Sequence, residues 1–444
     1  MLRSIMPISG RHRPGAAGAA AMRRVKACLT AASTLVAAGA FAAIAAFALA
    51  GGPSSAQGAP QGDGPQWVVG WSASPVTATD IHTDTCPGTK GLANRTVRNV
   101  VFLSAGGDTV RVRLANTFGT RAVRVGRATV AVQSGSGAGV VPGTLRTLAF
   151  GGQPGTSIAA GGQILSDPAQ LPVAALTTLL VSIYLPEPTG PLTNHPGTVQ
   201  RNFISTGDLS TATTGVGYGY LSCWMLLDAV EVQAPHRYAG TVVTLGDSIT
   251  DTAVTTRNAN RRWPDYLARR LNAKPGLTLS VSNEGIGGNR LLPSRGAAPY
   301  FGVPVPTRLD RDVFAAAGVR DVILLIGVND IGSGATAAQL IAGLRRVVGQ
   351  THAHGLRIFG GTITGFAGSH LDTPARRAVR NAVNTWIAGP ESHFDGVIDF
   401  ARALADPGNP AALRRAYDSG DHLHPNDAGC RAMAGAVDLT ALLD

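Results

Sequence analysis

The spacing of apolar residues changes near residue 235, and this change requires two different kinds of fold in one chain of 444 residues. Before it, apolar and polar residues alternate over short segments such as 96–103 and 108–114, and paired glycines separate the segments. A period of two is typical of strands with one buried face. No helical pattern longer than ten residues occurs there. We therefore predict an antiparallel β-sandwich of the jelly-roll type over residues 65–236.

After residue 240, short apolar runs alternate with amphipathic segments of helical period. The apolar runs lie at 241–245, 277–281, 322–326 and 356–359, and the longer helical segments at 337–350 and 375–387. This alternation predicts βαβ units, and therefore a parallel sheet with helices on both faces over residues 240–444. Sheets of this kind place their active sites at the carboxyl ends of the strands.

Residues 1–50 have the pattern of an export signal. Arg23, Arg24 and Lys26 precede an uncharged, mostly apolar run over residues 27–50, and a basic segment followed by an apolar one is the secretory pattern. The run is long enough to span a bilayer if it is not cleaved, so we expect either a signal peptide or a membrane anchor. Residues 51–64 form a linker rich in Gly, Pro, Ser and Gln. In both cases the rest of the chain is expected to lie outside the cell.

The charge of the chain gives no support for nucleic-acid binding. The formal net charge is +11, but residues 1–62 contain six basic residues and no acidic one. The other arginines are scattered and form no basic block interleaved with aromatic residues.

Three cysteines follow the predicted signal, namely Cys86, Cys223 and Cys430. One disulfide is possible in an oxidising compartment, most simply between Cys86 and Cys223, with one thiol left over. None of the three has the spacing of a zinc site.

Four short sequence blocks in the second part contain candidate functional residues, and two of them carry residues suited to acyl transfer. Ser248 lies in Gly-Asp-Ser-Ile-Thr-Asp, directly after the first strand of the second part, where a helix is expected to begin. A nucleophilic serine needs a base, and the base needs an orienting carboxylate. Asp421 and His424 are three residues apart in one loop and can supply both. Taken alone, either block also has a purely structural interpretation, such as the capping of a helix.

The other two blocks can stabilise negative charge. The glycine-rich segment 283–290 follows the second strand and lets the backbone approach a ligand closely. Asn329, in segment 326–330, ends the third strand, and its amide can donate a hydrogen bond into a cleft.

In this order and at these strand ends, the four blocks resemble the SGNH (GDSL) hydrolase superfamily, whose blocks centre on Ser, Gly, Asn and His. The resemblance covers residues 241–444 and implies a flavodoxin-like, three-layer α/β/α fold. Segments 260–265 and 283–292 resemble one branch, the secreted two-domain bacterial esterases with an N-terminal β-domain, similar to aryl- and acylesterases associated with xylan degradation. Thr252 stands where many members carry glycine. The G-x-S-x-G elbow of ordinary α/β-hydrolases does not occur in the sequence.

The resemblance implies a role for each block. Ser248 attacks the ester carbonyl, His424 takes and returns the proton, and Asp421 orients the imidazole. The implied oxyanion hole consists of the Ser248 N–H, the Gly288 N–H and the Asn329 side-chain amide. Gly287 is a neighbouring alternative to Gly288.

Three further polar residues of the blocks are expected to have other roles. His422 is only one residue from Asp421, so its side chain is expected to point away from that carboxylate. Asp247 and Asp330 are expected to bond loop backbone. The implied mechanism requires no metal and no organic cofactor.

We therefore expect a secreted serine esterase that hydrolyses carboxylic esters through an acyl-enzyme, with small-molecule or polysaccharide esters of small acyl groups as substrates. The alternatives are a GDSL lipase or phospholipase, or an acyltransferase with the same triad, and the least favoured is a catalytically dead glycan-binding protein. No stable membrane contact is expected unless the N-terminal segment stays uncleaved. Since all four blocks lie in residues 240–444, the β-domain is interpreted as accessory and that fragment is expected to be active.

Overall fold

The first part of the chain folds into antiparallel strands. The computed structural model describes residues 66–78, 80, 85–252, 254–293 and 298–444. Within its first part, the one helical turn among these residues is the 3-10 turn Gly88–Lys90. The strands are β1 (Gln66–Ser72), β2 (Arg95–Phe102), β3 (Gly107–Ala115), β4 (Val123–Val125), β5 (Arg127–Val132), β6 (Arg146–Thr147), β7 (Thr156–Ile158), β8 (Gln163–Leu165), β9 (Ala169–Val173), β10 (Thr178–Leu185), β11 (Asn194–His195), β12 (Asn202–Thr206), β13 (Gly219–Leu221), β14 (Trp224–Met225) and β15 (Leu227–Ala234).

Two of the sheets pack face to face. A five-stranded sheet has the order β1-β15-β3-β8, with β9 also pairing with β3, and a six-stranded sheet has the order β13-β12-β2-β10-β5-β6. One apolar core contains alternate residues from both, including Val110 and Val112 of β3 and Val181 and Ile183 of β10. The short sheets β4-β7 and β11-β14 complete this part. The predicted antiparallel β-sandwich is confirmed, because the period-two pattern gives each sheet one buried face.

A parallel sheet begins at Tyr238. Its strands are β16 (Tyr238–Gly246), β17 (Thr278–Gly285), β18 (Val319–Leu325), β19 (Arg357–Gly361) and β20 (Gly396–Ile398), in the order β17-β16-β18-β19-β20. This is the flavodoxin-like order, in which the direction of winding reverses between the first and third strands. A short antiparallel hairpin, β21 (Ala405–Asp406) and β22 (Asn409–Leu413), follows.

Helices cover this sheet. They are α1 (Ser248–Asp251), α2 (Trp263–Ala273), α3 (Val305–Leu309), α4 (Val328–Gly332), α5 (Ala337–Ala353), α6 (Pro374–Ala388), α7 (Phe400–Leu404), α8 (Asp427–Ala436) and α9 (Leu439–Leu443), with a π-helical turn at Asp310–Phe314 and 3-10 turns at Pro299–Phe301 and Pro390–Ser392. Helix α2 contacts α8, and α5 contacts α6. The predicted three-layer α/β/α fold is confirmed.

Hydrogen bonds from serine side chains join the sandwich to the edge of the parallel sheet. Strand β1 lies beside β17, and the buried hydroxyls of Ser72 and Ser282 are 2.6 Å apart. Ser104 Oγ donates to the carbonyl of Val281 (2.8 Å) and accepts from its N–H (3.0 Å). Residues 62–444 accordingly form one compact unit, so the separate domains 65–236 and 240–444 stay a prediction from sequence.

The disulfide expected in the first part is present. Cys86 is bonded to Cys223, and Cys430 carries a buried free thiol. The predicted signal or anchor at 1–50 and the linker at 51–64 lie outside the described residues. Among the helices of the described ranges, none is both long and apolar enough to cross a membrane.

The fragment of residues 240–444 is expected to be less stable than residues 62–444, although the sequence alone predicts an active fragment. Removal of the sandwich takes away the hydroxyls of Ser72 and Ser104 and exposes the buried strand β17 to water. Three hydrogen bonds at roughly 1 kcal/mol each suggest a loss of at least about 3 kcal/mol in the free energy of unfolding. Urea unfolding followed by circular dichroism measures it, and equal midpoints for the two chains would show that the second part folds independently.

Candidate active site

Ser248 lies where the central strand β16 gives way to a helix. The strand ends at Gly246, and Ser248 is the first residue of the single-turn helix α1. The Asp247 carboxylate accepts the N–H of Ile249 at 2.9 Å and so caps the turn. Burial raises the pKa of Asp247 to about 7. Gly246 is required here, because a Cβ atom would come within 2.4 Å of Thr250 Oγ1 and 2.6 Å of the Leu325 carbonyl.

A continuous hydrogen-bonded chain links Ser248 to Asp421. The Ser248 Oγ lies 2.8 Å from His424 Nε2, and His424 Nδ1 lies 2.5 Å from Asp421 Oδ2. Because Nδ1 faces a carboxylate, it carries a proton, and the neutral ring then presents an unprotonated Nε2 to the serine hydroxyl. This is the arrangement that a nucleophilic serine requires.

The second oxygen of Asp421 is fixed by its own loop. Its Oδ1 accepts the N–H groups of Leu423 (2.9 Å) and His424 (2.8 Å). Burial alone would raise the pKa of Asp421, but the hydrogen bonds from the His424 side chain and from these two N–H groups outweigh it and hold the pKa well below its usual range. The carboxylate therefore stays charged and keeps the imidazole oriented.

His422 points away from this chain, as expected. Its backbone has φ +62°, and its Nδ1 lies 2.6 Å from Asp418 Oδ2 rather than beside Asp421. Asp418 Oδ1 also accepts the N–H of His422 at 3.0 Å. The backbone N–H of His422 thus helps to hold the loop that carries His424.

Asn329 and the glycine-rich turn lie side by side. The Asn329 side-chain amide donates to the carbonyl of Asn289 at 3.0 Å, which ties the third block to the second. An amide has a second N–H, and a substrate oxygen is a suitable acceptor for it. Gly288, the residue before Asn289, has φ +73°, and a Cβ atom there would lie 2.2 Å from the ring of Phe301. The position therefore requires glycine. Which of Gly287 and Gly288 donates to an oxyanion stays a prediction.

Asp330, which follows Asn329, has a structural role. Its two carboxylate oxygens accept the N–H groups of Leu291 (3.0 Å) and Leu292 (2.9 Å). Burial raises its pKa. Both Asp330 and Asp247 thus bond loop backbone, as the sequence predicts.

The structure adds Arg308, which no sequence block indicated. This fully buried residue of α3 donates to the carbonyl of Gly246 (3.0 Å) and to the carbonyl of Glu284 (2.8 Å). It also donates to the side-chain oxygen of Asn289 from two nitrogens, at 3.2 and 3.0 Å. One guanidinium therefore fixes the ends of β16 and β17 and the glycine-rich turn in one arrangement.

A buried acidic cluster surrounds this guanidinium. Ser74 Oγ, from the sandwich, lies 2.7 Å from Glu284 Oε2, 2.6 Å from Asp312 Oδ2 and 2.9 Å from Arg308 Nη1. A hydroxyl has one proton, so it can donate to only one of the two carboxyl groups. Burial, together with the charge of Asp312, raises the pKa of Glu284, and burial is opposed at Asp312 by Arg311 and Arg308, which lower its pKa. These opposite shifts favour a proton on Glu284 rather than on Asp312. Glu284 then donates a hydrogen bond to Ser74, and Ser74 donates one to Asp312.

No metal centre accompanies these residues. In the part of the chain that the structure describes, no group of three His, Cys, Asp or Glu side chains is close enough to hold a metal ion.

Arg308→Met is expected to lower the free energy of unfolding by about 3–5 kcal/mol, because it removes one of the two arginines that pair with the buried Asp312 and the donor to the side-chain oxygen of Asn289. Arg308→Lys keeps the positive charge but lacks the forked guanidinium that reaches Gly246, Glu284 and Asn289 together. This variant should therefore fold, with a lower kcat and a smaller change in KM. Urea unfolding and steady-state kinetics on an ester test both. Arg346→Met, at an exposed position in α5, is the matched control. Equal losses of stability and kcat in that variant would show that Arg308 has no specific role in the site.

Comparison with known proteins agrees with this geometry. The model of the GDSL-like lipase/acylhydrolase family matches residues 244–432, a range that contains the four blocks. No curated protein matches the chain.

Three of the solved structures that resemble this chain each cover a little under half of it. A protein assigned to the G-D-S-L lipolytic family from Desulfitobacterium hafniense DCB-2 is 18% identical, covers 46% of this chain and 99% of its own, and gives a TM-score of 0.36. The acetylxylan esterase Axe2 from Geobacillus stearothermophilus is 24% identical, with 45% and 92% covered and a TM-score of 0.34. A protein assigned as a GDSL-like lipase from Parabacteroides merdae is 22% identical, with 45% and 94% covered and a TM-score of 0.35.

The serine, glycine, asparagine and histidine blocks meet at the carboxyl ends of β16, β17 and β18 and in the loop before α8, and the family model spans all of them. Residues 244–432 thus match the GDSL-like lipase/acylhydrolase family, and this match supports the SGNH superfamily and ester hydrolysis for this part of the chain.

Proposed function

We propose that this protein is a secreted serine esterase that hydrolyses carboxylic esters of small acyl groups through an acyl-enzyme. The single observation that supports this most is the hydrogen-bonded chain from Ser248 through His424 to Asp421, which lies at the point where the strand order reverses. Secretion is supported by the basic and then apolar pattern of residues 1–50.

The first half of the reaction forms the acyl-enzyme. Ser248 Oγ attacks the ester carbonyl carbon while His424 Nε2 takes the hydroxyl proton. The imidazolium so formed is stabilised by the charged Asp421, whose pKa is held low by its hydrogen bonds. When the tetrahedral intermediate collapses, the C–O bond to the alcohol breaks, and His424 returns the proton to the leaving alkoxide.

The second half releases the acid. A water molecule gives a proton to His424 and attacks the acyl carbon, and the bond to Ser248 Oγ then breaks as the proton passes back to the serine. In both halves the carbonyl oxygen becomes negative, and the Ser248 N–H, the Gly288 N–H and the Asn329 amide are the proposed donors to it. Small acyl esters, including acetyl esters of polysaccharide, are the proposed substrates, because the sequence resembles the branch of esterases associated with xylan degradation.

Ser248→Ala is expected to lower kcat on p-nitrophenyl acetate by about 10³-fold or more without a change in unfolding midpoint, since the serine, histidine and aspartate act as a unit. His424→Ala should lower kcat by a similar factor. His422→Ala should change kcat little, because the His422 side chain contacts Asp418 instead of Asp421. Ser157→Ala, an exposed serine in β7, is the matched control. A Ser248→Ala enzyme that keeps a tenth of the activity, or equal losses at the two histidines, would contradict the proposal.

Asn329→Ala is expected to lower kcat by about 10²–10³-fold with a small change in KM, because a donor aimed at the developing oxyanion stabilises the transition state more than the bound ester. The measurement is kcat, KM and melting temperature on one purified preparation. A structural role through the bond to Asn289 would instead lower the melting temperature and leave kcat near normal.

A further inference from the structure

A cavity of about 480 Å³ lies between loops of the sandwich and residues of the second part that follow strands β16 and β17. Residues 196–201 and 220–222 of the sandwich form one wall, and Asp251, Ile286, Gly287, Tyr300 and Phe301 form the other. Its volume is within the range of about 300–1,000 Å³ that small-molecule sites occupy. An acetyl group alone would leave most of this space empty.

The cavity is lined by residues close in sequence to those proposed to react. Asp251 is the last residue of the helical turn that Ser248 begins, and Gly287 directly precedes Gly288. The ring of Phe301 packs on Gly288, and the carbonyl of Phe301 accepts the side-chain N–H of Asn289 at 2.7 Å. A group bound in the cavity would therefore be held beside the glycine-rich turn.

The wall from the sandwich is held in place by hydrogen bonds. Asn258 donates its backbone N–H to the carbonyl of Val199 at 2.9 Å. Its side-chain oxygen accepts from the N–H of Arg201 at 2.7 Å and from the side chain of Gln200 at 3.2 Å. The other segment of this wall is held through Ser222, whose hydroxyl accepts the N–H of Thr85 at 2.8 Å, and Ser222 is followed by the disulfide-bonded Cys223. The wall is thus preorganised for binding.

The lining combines aromatic rings with hydrogen-bond donors. Tyr220 is 63% exposed, and Tyr300 and Phe301 are only partly buried, so their rings can contact a ligand. The guanidinium of Arg201 lies 4.7 Å from the centre of the Tyr220 ring. The exposed Arg257 adds a further donor to the lining. A sugar ring has an apolar face for the aromatic rings and hydroxyl groups for the donors, whereas a plain aryl ring would form no hydrogen bond with them.

We propose that this cavity binds the sugar ring next to the scissile ester, so that the sandwich supplies a substrate-recognition wall. The proposal rests on the proposed esterase function and names its substrate class as carbohydrate esters. It also gives the β-domain a part in substrate binding, beyond the accessory role that the sequence predicts.

Kinetics of the full chain with Tyr220→Ala test the proposal. Two substrates are compared, a monoacetylated xylo-oligosaccharide and ethyl acetate, whose alcohol has no ring. Tyr220→Ala is expected to raise KM for the sugar ester by about 10-fold and to leave ethyl acetate hydrolysis unchanged. Val216→Ala is the matched control, because Val216 is 79% exposed in the preceding loop and does not line the cavity.

Each other outcome overturns the proposal. Equal losses on both substrates would mean that Tyr220 acts through the structure, and no loss on either would mean that the cavity is not used. A loss confined to phenyl acetate, run in parallel, would make the cavity an aryl site. An unaltered enzyme that hydrolyses ethyl acetate but not the sugar ester would also contradict it. In all these cases Ser248-dependent hydrolysis of ethyl acetate still upholds the esterase function, so the two proposals fail separately.

Discussion

The buried guanidinium of Arg308 is the interaction on which the rest of the site depends. Removing a charged group from water is expensive, and burial lowers the pKa of Arg308 accordingly. The cost is offset by donation to two backbone carbonyls, to Asn289 and to Asp312. Because a guanidinium is planar and rigid, these acceptors must keep a fixed relation to one another. The ends of β16 and β17 and the glycine-rich turn are therefore held at one spacing.

The same cluster connects the sandwich to the candidate active site. Ser74 reaches Arg308, Glu284 and Asp312 from the first part of the chain. Burial also raises the pKa of Asp228, beside this cluster, to about 7. Between its ordinary value of 3.8 and about 7, the folded chain holds a proton that the unfolded chain has lost, so this group makes stability fall as pH rises. The join between the two parts is thus a polar, titratable one, unlike an ordinary apolar domain contact.

Local patterns allowed most of the fold to be predicted. The change from period two to strand–helix alternation predicts the sandwich and the parallel sheet, because each depends on residues close in sequence. Ser248, Asn329, Asp421 and His424 could be named as candidates because each lies in a short block at a strand end or before a helix, and the resemblance to the SGNH superfamily implied their proposed roles. The three-residue strand Gly396–Ile398 and the hairpin at 405–413 were not predicted, because such short elements carry too few alternating residues. Arg308 and Ser74 gave no signal, since their contact joins residues 234 positions apart.

Mass spectrometry of the acid-quenched enzyme tests whether Ser248 becomes acylated with His424 as its base. After rapid mixing with p-nitrophenyl acetate, a mass increase of one acetyl group is expected on the peptide that contains Ser248. Ser248→Ala should show no such adduct, and His424→Ala should form it far more slowly. Turnover without any adduct even at the shortest mixing times, or an acetyl group on a different residue that accumulates at the rate of turnover, would show that Ser248 is not the nucleophile.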